Sequence, residues 1–157
     1  MQFVIHLSTI ITNEKNQILL VKEKKEKIFN KLNLPGGHME LGEGLVEGAK
    51  REAMEEVNVD VEILGLIGVF TGLGIDHYIN FIFAGKINKG EPSANKEHIN
   101  DFGWYSPEGI EQLPEDQFVN AYKLKNAITV FQTNQLMPLE LIKEMVYQSN
   151  QIIKIEK

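Results

Sequence analysis

The 157-residue chain contains no cysteine. That excludes disulfides and thiolate metal sites, and it fits a cytoplasmic protein. No apolar run approaches the ~20 residues that cross a bilayer. The opening Met1-Gln2-Phe3-Val4-Ile5-His6 lacks the basic segment and apolar core of a signal peptide. No membrane partner is expected. Positive charge is also short: 16 Lys and Arg against 22 Asp and Glu leave a net charge of −6. Binding to a nucleic acid polymer rests on many Lys/Arg contacts to phosphate, so none is expected either. A small phosphorylated partner is still open, because a bound metal supplies local positive charge. With 43% hydrophobic residues, a chain of this length buries roughly two thirds of its unfolded surface.

What the chain has in plenty is acid at a special spacing. Gly37 is followed after five residues by Glu43, and after seven more by Arg51-Glu52-Ala53-Met54-Glu55-Glu56-Val57-Asn58-Val59. A helix turns ~100° per residue. Glu52, Glu55 and Glu56 therefore share one face as an i, i+3, i+4 set, where like charges repel. A hard divalent cation reverses that repulsion, since Mg²⁺ prefers oxygen ligands and shares them with phosphates. The approach to this helix contains Pro35-Gly36-Gly37, which permits a close pass of backbone to another group. An acidic Ca²⁺-binding structural protein is the competing reading, but the ligand spacing of a twelve-residue calcium loop is missing.

Residues 3–12 and 17–21 are apolar and β-branched around a polar turn and read as an antiparallel hairpin. Residues 22–31 read as a charged surface loop, with Phe29 either a core plug or the edge of a substrate pocket. Residues 44–57 form the acidic helix, whose apolar face carries Leu45, Val46, Ala49, Ala53 and Val57. Gly48 inside it is either drift or room for a loop or phosphate. Glu47 and Arg51 make an i, i+4 pair, although Arg51's planar fork is better suited to fixing the carboxylates or the glycine loop. Residues 61–71, 78–87 and 102–105 read as strands, and residues 88–98 as a polar loop. Helices are expected at 108–113, around 117–131 and at 139–147. The alternation implies an α/β fold, an α/β/α sandwich around a mixed β-sheet, with residues 1–157 as a single domain and C-terminal helices from about 107. A homodimer through those helices is compatible with the pattern.

The segment 37–59 resembles the signature of the Nudix hydrolases, Gly-x5-Glu-x7-Arg-Glu-aliphatic-x-Glu-Glu-x-Gly-aliphatic, at every position but one. Asn58 stands where the family has glycine, and asparagine is the next most tolerant residue in a left-handed conformation. Leu32 replaces a tryptophan common among relatives. The resemblance implies metal-dependent hydrolysis of a phosphoanhydride bond in a nucleoside di- or triphosphate or a related nucleoside diphosphate derivative. Glu52, Glu55 and Glu56, with the Gly36 carbonyl, would hold Mg²⁺ or Mn²⁺. Arg51 would orient the carboxylates, and Glu40 and Glu43 would brace the loop or occupy an outer metal shell. Glu97, with His98 and Asp101 behind it, falls where the family contributes a further carboxylate to the metal or the attacking water, and either Glu52 or Glu97 would be the base. Gly36, Gly37, His38, Phe29 and Gln117 are the expected substrate contacts, with His77 also near. Some Nudix-fold domains only sense nucleotides. Those lose members of the carboxylate set, whereas this chain keeps all of them.

Overall fold

A computed structural model describes residues 3–73, 77–148 and 151–154. Among them, seven strands form one mixed sheet. They are β1 (Phe3–Thr12), β2 (Ile18–Glu23), β3 (Leu32–Asn33), β4 (Gly36–His38), β5 (Asp60–Gly72), β6 (His77–Lys89) and β7 (Ile99–Tyr105). The order is β3-β2-β1-β6-β5, with β4 also on β1 and β7 also on β2. The helices are α1 (Leu45–Val57), α2 (Pro107–Gln112) and α3 (Ala121–Gln132). Strands β1 and β6 run parallel from Phe3↔His77 to Thr12↔Lys86, while β5 and β6 are antiparallel. The middle of the connection between those two, residues 74–76, lies outside the described residues.

Period-2 alternation explains why the sheet is covered twice. In β2, Leu19 and Val21 join one core with Leu7, Phe83 and the α1 residues Ala49, Ala53 and Val57. Ile18 and Leu20 join the other with Ile10, Ile82, Ile110 of α2, and Leu124, Ala127 and Ile128 of α3. The result is the three-layered α/β arrangement that the pattern implied. The β1–β2 hairpin is much shorter than expected. The two strands pair only at Thr12↔Ile18, because β4 takes the same edge of β1 through His6↔His38, Leu7↔Gly37 and Ser8↔Gly36. Strand β2 pairs instead with β7. That exchange matters, since it brings the glycine-rich approach directly onto the central strand.

The expected helix at 139–147 is not formed. One 3-10 turn, Leu139–Leu141, is followed by β8 (Met145–Gln148), which pairs with β9 (Gln151–Lys154). The chain there has distance to cover. Met137 pairs with Leu66 of β5, Leu139 and Ile142 pack on the α1 core, and the Glu144 carboxylate lies against Gly44 at the start of α1. Extended backbone advances ~3.3 Å per residue against 1.5 Å for a helix, which suits a segment tied at both ends to separate elements. A dimer surface made from a helix at 139–147 is thereby removed. No helix among the described residues is long and apolar enough to cross a membrane.

Helix α1 stops at Asn58, which adopts φ 57° and ψ 35°. Its side-chain Nδ2 donates to the Ser93 carbonyl at 3.0 Å and to Ser93 Oγ at 3.1 Å. The backbone N–H groups of Ser93 and Asn95 donate to the carbonyls of Val57 and Glu56, so the 90–98 loop closes the helix end. A β-branched residue tolerates this conformation poorly and supplies no donor. Asn58→Val is expected to lower stability by about 1–2 kcal/mol, read from the urea unfolding midpoint.

Candidate functional site

Helix α1 places Glu52 and Glu56 one turn apart on its inner face, where they are 8% and 7% exposed. Burying two carboxylates together is unfavourable unless each is hydrogen-bonded or neutralised. Glu52 is met by Arg51, whose Nη1 donates to Oε1 at 3.0 Å. Glu56 Oε2 accepts the backbone N–H of Gly36 at 3.0 Å. Burial nonetheless pushes the Glu56 carboxyl up to about 8, against that hydrogen bond and with help from the charges of Glu23 and Glu52. Burial also raises Glu52, opposed by Arg51.

Arg51 is the organising cation. Its Nε and Nη2 grip both oxygens of Glu43 at 2.9 Å, Nη1 reaches Glu52 and also Glu55 at 2.8 Å, and Nη2 donates to the His38 carbonyl at 3.0 Å. These use all five N–H donors of a guanidinium. None goes to Glu47, the partner that helix spacing offers. Glu43 is held below the usual carboxylate range by Arg51 and also accepts the Glu40 N–H at 2.7 Å. It therefore braces the approach loop, one of the two roles expected for it.

The glycines make room. A Cβ on Gly37 would sit 2.5 Å from Glu52 Oε1, and one on Gly48 would sit 2.6 Å from Glu43 Oε1 while overlapping Leu7 Cδ1. A side chain at Gly48 would displace the ends of Glu43 and Leu7, which gives the glycine a packing role here.

Beside the ridge opens a cleft of about 520 Å³ whose wall includes Gly36 and His38, within the range of small-molecule sites. Sequence reasoning missed most of its other contributors: Glu23, Lys25, Asn33, Phe70, Asn80 and Lys123. Glu23 was hidden in the charged run 22–27. Its signal was the phase of Leu19 and Val21, which Glu23 continues onto the same inward face. Lys123 lies one turn from buried Ala127, again in phase with an apolar face. His6 also lines the cleft, 4.3 Å from the His38 ring between centroids. Burial lowers its pKa to about 4, with further lowering from His38, Lys123 and Lys25. It is neutral near pH 7, and the charged lining of the cleft is Lys25 and Lys123 against Glu23.

Other expected contacts lie elsewhere. Phe29 is 55% exposed, so it is no core plug, and with Gln117 it lines a separate shallow depression beside Lys22 and Tyr105. His77 packs edge-on against Phe3. Asp101 pairs with Lys22 at 3.6 Å. Glu97 is exposed, as is His98, two residues beyond the Asn95 anchor on Glu56.

Among the described residues, no three acidic or imidazole side chains converge as a ready-made metal cage. Arg51 draws Glu52 and Glu55 towards itself. The donor chemistry still fits a hard cation: two buried carboxylates, one of them uncompensated, stand beside a glycine backbone. Mg²⁺ is commonly held by one or two carboxylates plus substrate phosphates.

A NUDIX domain model matches residues 3–126. The chain belongs to the Nudix family. It is 34% identical over 98 residues to a putative 8-oxo-dGTP diphosphatase of Bacillus subtilis, covering 62% of this chain and 63% of that protein. It is 32% identical over 90 residues to an ADP-ribose pyrophosphatase of Methanocaldococcus jannaschii, covering 55% and 53%. The chain thus spans less than two thirds of these relatives. Phosphatase NudJ of Escherichia coli is 30% identical over 113 residues, covering 70% and 72%. A NUDIX hydrolase structure from Nitrosomonas europaea shares the fold with a TM-score of 0.79 at 22% identity, covering 90% and 96%.

The Glu56 environment makes stability depend on pH when metal is absent. A carboxyl with a raised native pKa favours the fold in its protonated form. Its contribution is complete below 4.5 and is lost as pH rises to about 8. Metal-free protein is expected to lose stability across that window relative to Glu56→Gln, by up to ~1.4 kcal/mol per pH unit. Urea unfolding of both proteins at several pH values checks this.

Proposed function

We propose that this chain, acting as one Nudix domain, hydrolyses a phosphoanhydride bond in a nucleoside di- or triphosphate or a related nucleoside diphosphate derivative. The observation that carries the proposal is the buried Glu52–Glu56 pair, with Glu56 short of positive charge, set beside a cleft whose wall includes Lys25 and Lys123. Glu52 and Glu56, with Glu55 and the Gly36 carbonyl, are the residues to hold Mg²⁺ or Mn²⁺. When bound, such an ion neutralises phosphoryl oxygens and acidifies a coordinated water.

The chain's own groups divide the remaining work. Lys25 draws a polyanion towards the cleft, and neutral His6 places an uncharged ring there. Gly36 and Gly37 admit the close approach of β1 and the Glu52 carboxylate, which keeps the loop backbone against the ridge. Glu52, its carboxyl raised by burial, accepts a proton from the attacking water more readily than an exposed carboxylate does. Glu97 is the alternative base, carried by the loop tied to Glu56. Arg51 is a positioning residue. Its bonds to Glu43 and the His38 carbonyl hold the approach loop while those to Glu52 and Glu55 hold the ridge. A cytoplasmic setting is proposed from the cysteine-free composition. A sensor without turnover is the second reading, and the complete set of Arg51, Glu52, Glu55 and Glu56 weighs against it.

The decisive variant is Glu56→Gln, which keeps the acceptor for Gly36 N–H and removes the charge. Divalent-dependent release of orthophosphate or pyrophosphate from a nucleotide panel is expected to fall by at least ~10²-fold, with the circular dichroism spectrum unchanged. Unaltered turnover would contradict the proposal.

A further inference from the structure

The cleft contains an opposite-charge pair that does not close. Glu23 at the end of β2 is 5% exposed, and Asn33 Nδ2 donates to its Oε1 at 2.8 Å. Lys123 in the first turn of α3 lines the same cleft. Burial lowers the lysine's pKa and Glu23 raises it, so the two sense each other. Among the described residues, however, the Lys123 ammonium makes no hydrogen bond and no direct ion pair. A lysine without such a partner and a carboxylate with a single side-chain donor, both on the wall of one cleft, leave a guest free to bond each of them.

The chemistry of the pair restricts the guest. An ammonium only donates, and a carboxylate only accepts, with two oxygens and about four lone-pair sites. Asn33 uses one of these. The guest must therefore present an acceptor to Lys123 and donors to Glu23 along one edge. Phe70 and Tyr78, which line the same cleft, offer flat apolar faces to a planar ring. Among the nucleobases, one Watson–Crick edge reads acceptor, donor, donor: the 6-oxo, ring N–H and 2-amino groups of guanine. Adenine reads donor then acceptor. Uracil has a single N–H between two carbonyls, and cytosine has a single donor beside two acceptors.

We propose that Glu23 and Lys123 are specificity-determining residues that select a 2-amino-6-oxopurine, Lys123 reading the 6-oxo group and Glu23 the ring N–H and 2-amino groups. This rests on the reading of the cleft as the nucleotide site and names which nucleotide it takes. Asn80 supplies a further anchor. It is 5% exposed and lines the cleft, and its Oδ1 has no partner while Nδ2 makes only a long 3.4 Å contact to Ser8 Oγ.

The test uses analogues that differ by one ring group. Binding of GMP, IMP, 2-aminopurine riboside monophosphate and AMP to the full chain is measured calorimetrically without metal. Turnover of the matching triphosphates is measured with Mg²⁺ or Mn²⁺. Wild type is expected to prefer GMP over AMP by at least about tenfold, since a site built to hydrogen-bond a group rejects an analogue lacking it. Glu23→Gln should erase the GMP-over-IMP preference, and Lys123→Met the preference of GMP over the 2-aminopurine nucleotide. Ratios are the readout because Glu23 also influences Glu56, and effects on chemistry shared by two substrates cancel. Lys123→Met keeps the proposal testable where the Glu23 variant fails to fold. Hydrolysis of the panel without a guanine preference, or variants that keep the wild-type ratios, overturns this proposal and leaves the hydrolase reading intact. A guanine preference in binding without turnover of any triphosphate supports the base reading while defeating the hydrolase reading.

Discussion

One guanidinium with every donor engaged sets the terms for the site. Three carboxylates along a helical ridge repel each other, and a fourth arrives from the approach loop. Arg51 binds Glu43, Glu52 and Glu55 and fastens the His38 carbonyl to them. The planar fork is what permits this, because a lysine ammonium has three donors and no fixed directions. Glu56 is beyond its reach. It rests on a single backbone N–H, buried and near two other acids. The local shortage of positive charge is therefore concentrated at one carboxylate, next to the glycine backbone.

The sheet makes that concentration possible. Because β4 rather than β2 lies along the middle of β1, Gly36 and Gly37 are held by backbone pairing at Leu7 and Ser8. The same displacement sends β2 to β7 and carries Glu23 to the mouth of the cleft. Ridge and cleft share Gly36 and His38 and otherwise draw on different parts of the chain. The ridge is local to residues 36–56, whereas the cleft draws on β1, β2, β6 and α3. Under the proposed function, this division would let one constellation address the phosphoanhydride while another addresses what is attached to it.

Legibility in the sequence follows the same division. Glu52, Glu55 and Glu56 could be grouped in advance because helical spacing is a local rule, and Asn58 could be placed at a left-handed stop for the same reason. The layered α/β fold was readable from the succession of strands and helices along the chain. Glu23 was not readable as a site residue, since a glutamate within Lys22-Glu23-Lys24-Lys25 looks solvated until β7 buries it. Gln117 and Asn120 show the limit again. They are three residues apart, yet the turn before α3 sends only Asn120 into the cleft. Residues 139–147 carry an apolar spacing that suits a helix. Tertiary contacts with β5 and the start of α1 demand extended chain there, and those contacts prevail over local preference.

The central claim is that Glu56 waits for a cation. Its most direct measurement is calorimetric titration of Mn²⁺ into the metal-free protein near pH 6.5, repeated in buffers of different ionisation enthalpy. A carboxyl with a pKa of about 8 is protonated there and must release its proton to a metal. The account predicts release of about one proton per ion bound, abolished in Glu56→Gln. Binding with no proton release, or with the same release in the variant, would contradict it.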